Sequence, residues 1–311
     1  MNMNTNVKLK YLRNVPIHTL LLVGSLFMVY PLVYSLAASL TSLAEFIRST
    51  WIPVPMEWAF KNYREMFHPK MVPLITQSVG VTLLRTFWYI AMTSITSVLC
   101  GYVFARLRFK GKEVAFLVLL SSMLVPAIVF QVPIFVMLAR WPLAGGNNIL
   151  GQGGSGFINQ MPALLMGGWI SAYAIFLLRQ TFYGIPSDYE EAARMDGASF
   201  LQTLRYIYLP MLTPVLMVIV ISTFVANWND YTWPLMSVGG NSKLFPVGLF
   251  FQRIMAAGLP IATTTVTTAN TITNTPLLLT AGVIASVPPV LCFFIFQRYF
   301  IEGLQGVGIK G

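Results

Sequence analysis

Charge is scarce in this sequence: 10% of its 311 residues carry one, and only ten of these are acidic. No histidine or acid constellation falls inside its apolar stretches, so an intramembrane enzyme has nothing to do the chemistry with. The two cysteines, Cys100 and Cys292, each lie inside an apolar run and read as small hydrophobes rather than a disulfide or a metal pair. His18 and His68 are the only histidines and show no zinc-type spacing, so no metal site is expected. A phosphate-cradling G-x-x-x-x-G-K-[ST] loop is missing too. Gly151 to Gly156 is followed by Phe157, and Gly303 to Gly308 by Ile309. Without that loop and its lysine the chain cannot hold nucleotide in the usual way. Gly151–Gly156 does spell G-x-G-x-x-G, but that fingerprint needs a strand before it and a helix after it. Apolar runs of membrane length flank it here, and it reads as a flexible external loop.

Apolar sequence is what the chain has in excess: 56% of residues are hydrophobic and the mean hydropathy is +0.69. Cutting at every charged residue leaves six uncharged runs of at least twenty: 14–44, 86–105, 114–139, 141–178, 206–229 and 254–297. A helix needs about 20 residues to cross about 30 Å of hydrocarbon. The expected fold is therefore an all-α membrane protein with six transmembrane helices. A soluble helical protein would have to hide six such runs in one core. The formal charge of +10 does not point to nucleic acid, because the basic residues cluster beside the apolar runs as membrane topology requires. Lys8, Lys10 and Arg13 precede the first run, Arg106, Arg108, Lys110 and Lys112 fill a short gap, and Arg298 and Lys310 follow the last. If these are cytoplasmic, both termini lie inside, which agrees with six crossings. Arg48, Lys61, Arg64 and Lys70 would then be external, in a long gap where the rule is weak.

The six helices are expected near 17–40, 78–105, 114–139, 162–184, 211–234 and 277–300. The first is too long for a removable signal segment and is read as retained. Pro126 and Pro133 predict kinks in the third helix, and Pro288 and Pro289 a break or bend in the sixth. Arg85, near the outer end of the second, is expected to snorkel to water. Residues 41–76 suit an external interfacial segment. Residues 263–275, with eight threonines in thirteen positions, suit an external loop.

One stretch departs from this scarcity. Between the fourth and fifth helices, "SDYEEAARMDGASFLQTLRYIYLP" places Asp188, Glu190, Glu191, Arg194, Asp196 and Arg205 within eighteen positions. Ser187 with Glu190 reads as a capping box opening a helix, and Glu190 with Arg194 as a favourable i,i+4 pair. Ala192 and Ala193 keep one face narrow. Gly197 ends the helix where a left-handed residue is usual. Ser199 with Gln202 forms a second capping box, and the second helix reaches Pro210. The stretch is expected to be a cytoplasmic helix–turn–helix that docks against another protein.

These residues carry a resemblance. "EAARMDGASFLQTLRYIYLP" resembles the EAA motif of binding-protein-dependent ABC importer permeases, E-A-A-x3-G-x9-I-x-L-P, at Glu191, Ala192, Ala193, Gly197, Ile207, Leu209 and Pro210. "YVFARLRFKGK", "FVANWNDYTWPL" and "FQRYFIEGLQGVGIKG" are similar to the carbohydrate branch of that family, the maltose-type permeases. The Thr-rich stretch departs from the pattern and looks like an insertion. The resemblance implies a permease in a bacterial cytoplasmic membrane, with a core at 77–300, an N-terminal part at 1–76 and a cytoplasmic tail at 301–311. It implies a second permease, expected to be a paralogue, two ATPase subunits that carry the ATP and Mg, and an extracytoplasmic solute-binding protein. It makes Glu190, Glu191, Ala192, Ala193, Asp196, Gly197, Leu209 and Pro210 the residues expected to couple to the ATPase.

For the solute, sugar sites use aromatic faces with amide and carboxylate groups, and Asn227, Asn229, Asp230 and Tyr231 offer these at the end of the fifth helix. Trp228 and Trp233 beside them suit an aromatic belt at the membrane surface. Asp230, an acid near the membrane region, is a functional candidate by default. A carbohydrate, in particular an oligosaccharide, is the expected cargo. A non-sugar solute is the nearest alternative, and an ion-coupled secondary transporter a more distant one, since no acid sits at mid-span.

Overall fold

The computed structural model describes residues 3–49, 55–257 and 274–308. Among the described residues the regular structure is entirely helical. Four helical stretches are long and apolar enough to cross a membrane: Val15–Ser39, Val72–Arg106, Phe200–Asn229 and Thr275–Arg298. A fifth candidate is the bent pair Lys112–Leu124 and Ala127–Ala139, whose axes meet at 102°.

The chain divides into two compact units. One takes the described residues up to Val72 together with those of Ile254–Ser286. It holds α1 (Met3–Ser39), α2 (Leu43–Arg48) and α3 (Lys61–Met66). The stretch after α1 is folded. Asn62 Nδ2 donates to the Ser39 and Thr41 carbonyls at 2.9 Å each, and Ser39 Oγ meets Tyr63 OH at 2.8 Å. The apolar window of α1, by contrast, is exposed along its length, as a lipid-facing helix would be.

The other unit runs from Pro73 to Arg253 and resumes at Val287. Its helices are α4 (Val72–Arg106), α5 (Lys112–Ser121), α6 (Ala127–Ala139), α7 (Met161–Leu165), α8 (Ala172–Gly184), α9 (Asp188–Met195), α10 (Phe200–Thr203), α11 (Leu209–Asn229), α12 (Thr232–Val238) and α13 (Val247–Ala257). Its main core joins α4, α8 and α11 through Tyr102, Leu178, Phe182, Leu204, Tyr208 and Leu212. Gly101 lets α4 approach α8 closely, since a Cβ there would stand 2.9 Å from that of Leu178.

The expected helices change in three places. The third breaks outright after Leu124, because Pro126 forces the residue before it out of the helical region; Val125 sits at φ −89°, ψ 123°. Pro133, seven residues further on, is accommodated inside α6. The expected helix 162–184 is two pieces. Gly167 and Gly168 separate α7 from α8, Gly168 at φ +100°, and a Cβ on Gly167 would lie 2.1 Å from Trp233 Nε1. The indole takes the place that a continuous helix would need. Finally α14 (Thr275–Gly308) is continuous through Pro288 and Pro289, so of the break or bend expected there the break does not occur. Most of the Thr-rich stretch, 263–273, lies outside the described residues.

The loop 141–160 is folded rather than free. Asn147 Nδ2 donates to the Ala139 and Trp141 carbonyls, and its Oδ1 accepts from Gly154 N–H. Gly145 at φ +54° packs so close that a Cβ would meet the Gly156 carbonyl oxygen at 2.0 Å. These glycines serve close backbone packing, not a phosphate.

Candidate functional site

The polar stretch is a helix–turn–helix. α9 has three acids in its first turn, Asp188, Glu190 and Glu191, where the helix dipole favours them. It ends in a Schellman turn: Gly197 N–H donates to the Arg194 carbonyl at 3.1 Å and Ala198 N–H to the Ala193 carbonyl at 2.9 Å. Gly197 sits at φ +76°, the left-handed conformation its sequence position predicts. The capping box of α10 is present, with Gln202 Oε1 accepting from Ser199 N–H at 2.7 Å.

The first predicted capping box is not formed. Ser187 is already helical at φ −65°, ψ −24°, and its side chain caps nothing. The reason is that Glu190 points inward. Its Oε1 accepts from Tyr102 OH at 2.9 Å and Arg194 Nη2 at 2.6 Å, and its Oε2 accepts from Tyr208 OH at 2.6 Å. Phe182 and Phe200 pack against the two tyrosine rings. Burial alone would raise this carboxyl, but the hydrogen bonds from Tyr208, Tyr102 and Arg194 outweigh it and hold Glu190 below the usual glutamate range.

Tyr208 reaches Glu190 from an unusual backbone. Leu204–Tyr208 is a π-turn in which Leu209 N–H donates to the Leu204 carbonyl, five residues back. Pro210 has no N–H and its ring crowds the carbonyl four residues before it, so the ordinary ladder cannot pass. π-turns of this kind gather at functional sites.

Of the eight residues expected to couple, Glu191, Ala192, Asp196, Gly197 and Pro210 are exposed, Leu209 is half-buried, and Glu190 and Ala193 are buried. Tyr189, Met195, Leu201 and Tyr206 are exposed beside them, Met195 at 88%, a group of apolar side chains that the motif does not mention.

The end of α11 differs from expectation. Trp228 and Trp233 are 4% and 3% exposed, so they are core residues and not a surface belt; Trp233 Nε1 donates to the Ala163 carbonyl. Nor does Arg85 snorkel. It is 2% exposed and Nη2 contacts Asp230 Oδ2 at 2.5 Å, with Tyr89 beneath the guanidinium. Its Nε and Nη1 have no hydrogen-bond partner among the described residues. Asp230 Oδ1 accepts from Thr232 N–H and Trp233 N–H, capping α12. Asn227 is buried, while Asn229 and Tyr231 are exposed. Sequence alone could have flagged the pair: Arg85 and Asp230 are lone charges of opposite sign at the ends of two apolar runs.

Among its described residues the chain combines several membrane-length apolar helices with an exposed polar helix–turn–helix. The profile described as "Binding-protein-dependent transport system inner membrane component" matches residues 97–305, and the chain belongs to that family. It is a multi-pass inner-membrane permease subunit of an ABC importer, not an enzyme. Relatives include the lactose transport system permease protein LacG of Rhizobium radiobacter, 27% identical over 79% of this chain and 79% of that one. The arabinooligosaccharides transport system permease protein AraQ of Bacillus subtilis is 26% identical over 92% of each chain. The sn-glycerol-3-phosphate transport system permease protein UgpE of Yersinia pestis is 28% identical over 92% of this chain and 94% of its own. The fold is shared with a solved bacterial ABC transporter involved in import of the acidic polysaccharide alginate, at TM-score 0.75 and 22% identity, covering 93% and 97% of the two chains.

Proposed function

We propose that the chain is one of two permeases lining the pathway of an ATP-driven importer for a carbohydrate, an oligosaccharide in particular. An extracytoplasmic binding protein delivers the solute, and two ATPase chains bind the ATP and Mg. The helix–turn–helix 187–210 docks on an ATPase through Glu191, Ala192, Asp196 and the turn at Gly197. The observation that carries this reading is the exposure of those motif residues together with Met195, Leu201 and Tyr206, an apolar and acidic surface on an otherwise lipid-facing chain. Six crossings follow if the bent pair α5–α6 is one and α7 with α8 another, which leaves both termini cytoplasmic. Residues 77–300 then form the permease core. LacG and AraQ favour a sugar. UgpE favours a second reading, a phosphorylated polyol, by the same route.

Uptake by cells expressing this chain with its neighbouring transport genes tests the cargo, using labelled lactose, arabino-oligosaccharides, alginate oligosaccharides and sn-glycerol-3-phosphate. A sugar is expected to accumulate; accumulation of the phosphate ester alone would overturn the carbohydrate reading. Gly197→Val tests the docking. Space is free around Gly197, but a β-branched residue in the left-handed region costs about 1–3 kcal/mol. The variant should stay in the membrane and lose uptake while the ATPases still turn over.

A further inference from the structure

We propose that Glu190 is a positioning residue, the joint through which displacement of the helix–turn–helix reaches α4 as well as α11. The inference rests on the docking reading above and assigns Glu190 an inward role in it.

α9 has no covalent route to α4 other than through α8 and the loops before it. Among the described hydrogen bonds, Glu190 is the residue by which α9 reaches both helices, through Tyr102 of α4 and Tyr208 at the head of α11. Arg194 also bonds Tyr102, the Tyr102 and Tyr208 rings stand 5.9 Å apart, and further ties to α4 lie nearby. Arg106 Nη2 donates to the Ile185 carbonyl at 2.5 Å, and the Tyr102 and Phe200 rings stand 4.9 Å apart. The first ends on the linker before α9 and the second on α10. The covalent path to α11 passes through the π-turn, where hydrogen bonds are reset to five residues. Glu190 bridges that turn, because Tyr208 is its last residue. The bonds suit transmission: an ionised carboxylate gripping phenolic hydroxyls makes short, strong, directional contacts, and both its oxygens are taken. Arg194 supplies the compensating charge from one turn away and is itself exposed.

The assembled complex with its ATPases tests this. With Cys100 and Cys292 replaced by Ser, an environment-sensitive fluorophore is attached at Asp188→Cys at the start of α9, or at Ser242→Cys. Ser242 is exposed beside Lys243, whose carbonyl accepts from Gln77 Nε2 near the start of α4. MgATP with vanadate should shift both labels in the native background. In Glu190→Gln and in Tyr208→Phe the α9 label should still respond, while the response at position 242 falls about fivefold. The double variant should lose no more than either single one, because both cut the same joint. Phenylalanine preserves the packed ring, so loss of folding does not obscure the result. An unchanged signal at position 242 in both variants overturns the joint. A silent α9 label in the native background overturns the docking reading, and the joint with it.

Discussion

Glu190 and Arg85 are both buried charged groups held by residues far off in sequence, yet they are satisfied to different degrees. Three donors fill both oxygens of Glu190, and its partner Arg194 opens to water. Arg85 spends one of its nitrogens on Asp230 and leaves two without a bond among the described residues, at 3% side-chain exposure. A saturated carboxylate can lose one bond and keep its neighbours content. A half-satisfied guanidinium depends on one counter-charge, and severing that leaves an ion in an apolar surround. The first arrangement suits a joint that moves as a unit; the second is a single latch between α4 and the α11–α12 corner.

Cutting the latch should therefore have the largest effect. Asp230→Ala removes the counter-charge and the α12 cap together and should cost about 3–5 kcal/mol, read as loss of folded permease by thermal denaturation in detergent. Pairing it with Arg85→Met should restore much of that loss. If the single variant is as stable as the native chain, the contrast between the two sites is wrong. Glu190→Ala comes next, at about 1–3 kcal/mol, because Tyr102 and Tyr208 lose their acceptor inside the core while Arg194 turns to solvent.

A pH series sharpens the contrast at smaller amplitude. The folded carboxyl of Glu190 lies below the usual glutamate range, so its contribution is fully present above the unfolded value of about 4.3 and lost as pH falls through the folded one. The groups around it are Tyr102 from α4, Tyr208 with Arg106 over its ring, and Arg194 on its own helix. Amide protection across 187–203, corrected for the intrinsic exchange rate at each pH, should hold steady from pH 7 to about 5 and fall only in stronger acid. Glu190→Gln should abolish that acid step. Arg194→Ala should give the smallest change, a slight loss of α9 protection that salt mimics, because this side chain is two-thirds exposed.

What could be read from sequence divides along the same line. Gly197, the Ser199–Gln202 box and the Glu190–Arg194 pair are written in spacings of three or four residues, and each is present. The Ser187 box failed because a local pattern was outbid by Tyr102, 88 positions away, and Tyr208, 18 positions away. Arg85 with Asp230, 145 positions apart, had no spacing to betray it, only the isolation of each charge beside an apolar run. The same holds for the helix expected at 162–184, which Trp233 interrupts from another element. The two tryptophans looked like a surface belt because composition says nothing of which side of a helix faces a neighbour. Hydropathy found the apolar runs but not their continuity, since Pro126 and Pro288 read alike and only the first breaks its helix.

The π-turn at Leu204–Tyr208 makes the distance from Gly197 to Pro210 a matter of residue count. One residue more than an α-helix needs is stored there, and each residue turns a helix by about 100°. Deleting Arg205, exposed and outside the named docking residues, would shorten the segment by one residue and swing Tyr208 away from Glu190 while every docking residue survives. On the proposed docking, the segment would work as a ruler: its length would set which way the membrane helix faces when α9 is seated.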